Sequence, residues 1–172
     1  MILSSAVAQD RSPIPLPVDS STPVITLQYR DGFPAQPIPG QEQAKGPYLT
    51  IRADGRGTAG NINFSLSADE LQELLHFVID DQHFFDFDPK IAKADILDEQ
   101  IRTGRGVSVA DAGTTVVRVT TLGKDVESSF NAVTFWTQKY PNARGLKQFA
   151  EIEKRLRLLG EKVKATGTQQ VR

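Results

Sequence analysis

The chain has 172 residues, 39% hydrophobic and 24% charged, and its 20 Lys and Arg nearly balance 21 Asp and Glu for a formal charge of −1. That length suits one domain, and so even a balance supplies no field to draw in a polyanion, which argues against nucleic acid as a partner. The absence of cysteine excludes disulfides, thiolate nucleophiles and Cys-ligated metal centres.

The first eight residues end in Ala6-Val7-Ala8 and are followed by polar Gln9-Asp10, the form of a signal-peptidase site. Residues 1–8 therefore read as the remnant of a signal peptide without its basic start and most of its apolar stretch. They point to an exported protein, whether periplasmic, secreted or envelope-associated, with the cytoplasm as the alternative. No apolar run approaches the roughly 20 residues needed to cross a bilayer, so no transmembrane segment is expected. Residues 9–23 are rich in Pro and Ser, which bury too little apolar surface to offset the entropy of ordering, and read as a spacer.

A single domain is expected over 24–163. Val24 to Arg30 sets Ile25, Leu27 and Tyr29 against Thr26, Gln28 and Arg30, the period of a half-buried strand. A Pro- and Gly-rich loop spans 31–47 and has the length of a functional loop. Tyr48 to Ala53 precedes Asp54-Gly55, a dipeptide suited to a type I′ turn, so a hairpin follows. Its return arm starts near Arg56 and runs towards Leu66, with Gly57 or Gly60 as the place of a break.

Ser67-Ala-Asp-Glu70 is a capping box. The helix it opens carries Leu71, Leu74, Leu75, Val78 and Ile79 as its inward stripe and reaches about Gln82. Phe84, Phe85 and Phe87 form an aromatic plug before Asp88-Pro89. Ile91, Ile96, Leu97 and Ile101 mark an amphipathic helix over 90–102. Val107 and Val109 suggest a short strand, and 114–121 with 126–131 form a second hairpin. Two helices follow, at 132–140 and at 145–163, the latter with Leu146, Phe149, Ile152, Leu156 and Leu159 inward. Residues 164–172 lack an apolar period and read as a disordered tail. The order gives an α+β domain, an antiparallel sheet of hairpins with helices on one face, with a ββα-ββα arrangement as the way its halves would relate.

His76, Asp80 and His83, spaced four and three apart, share one side of a helix and are the metal candidate, since imidazole and carboxylate suit zinc. The plainer reading is a solvated outer face opposite the leucine stripe. The acidic run from Asp80 to Asp98 lacks the order of a calcium loop. No phosphate-binding glycine motif and no Gly-x-Ser-x-Gly elbow occurs, so no cofactor is expected. Phe33, Pro34, Pro37 and Pro39 in the long loop, with Trp136 and Tyr140, are the candidate interaction residues. Phe135 belongs to the same aromatic group.

LSADELQELLHFVIDDQHFFDFD, DAGTTVVRV and PNARGLKQFAEIEKRL together resemble small exported bacterial domains of unknown function, over roughly 24–159. The resemblance implies export and transfers no activity, cofactor or site residue. The expected function is a non-catalytic exported domain that binds another envelope protein. The alternative is a metal-dependent enzyme or small-molecule binder built on His76, His83 and nearby aspartates.

Overall fold

The computed structural model describes residues 11–30, 46–110 and 112–169. Four strands come first, β1 (Pro23–Arg30), β2 (Leu49–Arg52), β3 (Arg56–Ala59) and β4 (Ile62–Ser65), then helices α1 (Ala68–His76) and α2 (Pro89–Thr103). Strands β5 (Thr114–Thr121) and β6 (Lys124–Asn131) precede α3 (Val133–Lys139) and α4 (Arg144–Gln169). All neighbouring strands pair antiparallel, in the order β4-β3-β2-β1-β5-β6.

The alternation that marks β1 is what builds the core. Ile25 lies between Ile51 and Val119, and Leu27 between Leu49 and Val117, so one sheet face is an aliphatic layer. All six of these side chains are fully buried. The opposite face carries a polar row across the strands, Asn63, Thr58, Thr50, Thr26, Arg118 and Glu127. One apolar and one polar face is the pattern of an antiparallel sheet covered on a single side. The helices lie on the apolar side, which makes this an α+β fold.

Helix α4 is the principal cover. Leu146, Phe149, Ile152 and Leu156, at spacings of three and four, are all buried. Gly160 lets it approach the sheet closely, because a Cβ there would stand 2.6 Å from the Tyr48 ring. Phe87 stacks on Phe149 with centroids 4.5 Å apart and also meets Phe130, while Phe84 is fully buried, so the aromatic plug is part of the core.

Four departures from the sequence pattern have physical causes. Gly60, at φ +61°, makes a second tight turn, so the expected return arm is two strands, β3 and β4. Four strands precede the first helix pair and two precede the second, which replaces a ββα-ββα repeat. Val107 and Val109 lie in a segment without strand pairing: β5 already has β1 and β6 on its two sides, and Tyr140 Oη and Gln100 Nε2 donate to the Arg105 and Val107 carbonyls. Helix α4 runs on to Gln169, since Lys164 lies 3.8 Å above the Tyr48 ring and Gly167 leaves room for Ile62.

The proline-rich segment also touches the body. Gln72 exchanges hydrogen bonds with the Ile14 backbone, Leu122 N donates to Pro15 O, and Ile14 and Leu16 pack against the core. From Arg11 onward the expected spacer is thus a docked extended segment. Replacing Phe149 with Ala should lower the unfolding free energy by about 3–5 kcal/mol in urea denaturation. Ile91→Ala, at a side chain 59% exposed, should stay within about 0.5 kcal/mol of wild type.

Candidate functional site

The capping box closes as its spacing implies: Ser67 Oγ accepts from Glu70 N, and Glu70 Oε2 accepts from Ser67 N. After one α-helical stretch the chain widens into a π turn, Phe77–Asp81. His76 Nδ1 then lies 2.6 Å from Asp80 Oδ2. His83 follows in a left-handed conformation, φ 51°, where the chain swings Phe84 into the core. His76 and Asp80 are brought together and His83 does not complete them: among the described residues no group of three His or acidic side chains is placed to hold a metal. A regular helix would have kept all three on one face; the π turn and the kink at His83 end that helix first.

Phe33, Pro34, Pro37 and Pro39 lie outside the described residues. Tyr140 is a core residue, 3% exposed, whose hydroxyl donates to Arg105 O at 2.6 Å and so is not presented to a partner. Trp136 is half-buried and stacks on Tyr140, with centroids 6.0 Å apart. The exposed ring of this group is Phe135.

Two features emerge that periodicity did not single out. The first is the outer side of α2. Only Ala92 and Ile96 of its side chains are buried, whereas Ile91, Leu97 and Ile101 are 59%, 55% and 71% exposed. At about 100° per residue, Leu97, Ile101 and Ile91 fall on one side and Ala92 and Ile96 on the other, so this helix is apolar towards the core and towards solvent.

The second is a cleft of about 450 Å³ between α3 and α4. Its wall includes Glu153, the one buried acidic residue among those described, at 7% exposure. Tyr29 Oη donates to Glu153 Oε1 at 2.5 Å, and Arg157 Nε lies 3.4 Å from the same oxygen. Arg157 also donates to Glu161 at 2.7 Å, and Tyr48 meets Tyr29 edge-on at 5.5 Å. A carboxylate withdrawn from water needs such partners, because an unpaired buried charge is costly. The Tyr29 hydroxyl titrates well above the ordinary phenol range, first through burial and then through its bond to Glu153. The Tyr48 hydroxyl is raised too, again mainly by burial.

Arrangements of this kind hold a carboxylate in a fixed position at the edge of a cleft. The sequence contained one signal for it: Glu153 interrupts the inward side of α4 between Ile152 and Leu156, and Tyr29 continues the alternation of Ile25 and Leu27 at the end of β1, where the side chain is 39% exposed. No family model matches the chain, and no curated protein and no solved structure matches it significantly.

Tyr29→Phe should cost about 1–3 kcal/mol at neutral pH, the expense of leaving Glu153 short of a donor. Since the folded state holds the Tyr29 proton above the value at which the unfolded chain releases it, about pH 10, this residue's contribution is constant below that pH and declines above it. Denaturation at pH 8 and pH 11 should show wild type losing more stability than Tyr29→Phe across that interval.

Proposed function

We propose that this domain is a non-catalytic exported module that binds another protein of the cell envelope through the outer side of α2. The observation that carries the reading is the exposure of Ile91, Leu97 and Ile101 together on a helix already anchored by Ala92 and Ile96. Contiguous apolar surface on a folded domain commonly marks an interaction site, and aliphatic side chains on one helix side suit an apolar strip on a partner. Lys90, Lys93, Asp98 and Arg102 are exposed around this stripe and give it a polar rim of both signs.

Export rests on Ala6-Val7-Ala8-Gln9. Cleavage after Ala8 would leave intact the described attachments of the N-terminal segment, which begin with the Arg11–Asp81 ion pair at 3.0 Å and continue at Ile14 and Pro15. Among the described residues no helix is long and apolar enough to cross a membrane.

Capture from an envelope extract with residues 9–172 as bait should return one stoichiometric partner, and a Leu97→Glu/Ile101→Glu double variant with an unchanged melting temperature should lose it. Equal capture by both baits would refute the α2 surface, and a blank with wild type would refute protein binding. Mass spectrometry of the protein recovered from its producing cells should find Gln9 at the amino terminus; a cell-internal pool retaining Met1 would refute export.

A further inference from the structure

The cleft between α3 and α4 is separate from the outer side of α2 and has its own chemistry. Its charged lining comprises Lys147, Glu151, Glu153, Lys154 and Arg157. Most of these are already engaged: Lys154 lies 3.7 Å from Glu151, and Arg157 joins Glu161 and Glu153. Two functions are left over. Lys147 has no hydrogen-bond or ion-pair partner among the described residues. Glu153 uses Oε1 for both Tyr29 and Arg157, and no hydrogen bond from the described residues reaches Oε2. Among the described residues no polar side-chain atom sealed from solvent lacks a partner, so this second oxygen opens to solvent, and Glu153 lines the cleft.

An acceptor fixed in a largely desolvated wall and an unengaged ammonium in the same cleft call for a ligand with a cationic donor at one end and an anion at the other. We propose that the cleft binds a short peptide with free termini, its α-ammonium on Glu153 Oε2 and its carboxylate on Lys147. Charge-assisted hydrogen bonds of this kind are the stronger ones. Lys147 and Glu153 stand six residues apart on α4, about 9 Å along the axis at about 1.5 Å per residue. An extended chain spans about 3.3–3.6 Å per residue, so about three residues cover that distance. Val133, Ala143 and Ala150 give the cleft an apolar part for small side chains. Tyr29 acts as a positioning residue, since its bond to Oε1 fixes the rotation of the carboxylate that presents Oε2.

Isothermal titration with trialanine, N-acetyl-trialanine and trialanine amide tests this on the full chain. Trialanine should bind at millimolar concentration, and blocking either end should weaken binding about tenfold or more, about 1.4 kcal/mol. Glu153→Gln should weaken trialanine about tenfold while leaving the residual affinity of the acetylated peptide unchanged. Lys147→Ala, at an exposed position that does not hold the fold together, should selectively weaken the peptides with a free carboxylate. No heat with trialanine, equal binding of the blocked peptides, or wild-type affinity in Lys147→Ala would each overturn the proposal.

Discussion

Burial of a single sheet face beneath α4 is the constraint on which the rest of this structure depends. Ile25, Leu27, Ile51, Leu49, Val117 and Val119 form a layer that must leave water as a unit, because a register shift of one residue would exchange it for the polar row of Thr26, Thr50 and Arg118. Helix α4 answers that layer with four buried large side chains and with Gly160, whose missing side chain lets Tyr48 approach. The position of α4 in turn fixes α2 and α3. Both pack on it, α2 by way of Gly145, whose amide donates to Asp95 Oδ2 at 2.8 Å.

Placing a charged residue in this cover has consequences. Glu153 lies between Ile152 and Leu156 and cannot turn away from the sheet without taking its neighbours along. Tyr29 and Arg157 satisfy one of its oxygens, and the cleft solvates the other. A carboxylate held in this way is rigid and poorly hydrated, the condition under which a polar group discriminates among ligands rather than merely attracting them. The outer side of α2 works by the opposite principle: its aliphatic side chains meet water in the free domain and gain by leaving it. The two surfaces are physically independent.

The elements were largely legible because they rest on local rules. The alternation in β1, the Asp54-Gly55 turn, the capping box at Ser67, Pro89 at the start of α2 and the β-branched run of β5 each express a short-range preference that the tertiary structure keeps. The misjudged points were those where one segment depends on another. The stretch from Lys164 has no apolar period and reads as a frayed end until Tyr48 and Ile62 are beside it, and Val107 and Val109 alternate like a strand, yet β5 is already paired on both sides and side chains donate to the Arg105 and Val107 carbonyls. The aliphatic residues of α2 illustrate the same limit, since their periodicity does not say which side the core will take. Ile96 went inward and Ile91, Leu97 and Ile101 did not.

The candidate sites divide in the same way. A helical reading placed His76, Asp80 and His83 on one face, yet the π turn after His76 and the left-handed backbone at His83 break the regularity it assumes, leaving the His76–Asp80 pair. Tyr29 and Glu153 are 124 residues apart, and nothing local in either segment announces the other. By itself the sequence determined the fold class, the identity of most helices and strands and the absence of thiol chemistry, because composition, period and capping act over a few residues. Only the tertiary structure decided which apolar residues remain outside and which carboxylate is enclosed, because burial is a property of surfaces brought together from distant parts of the chain.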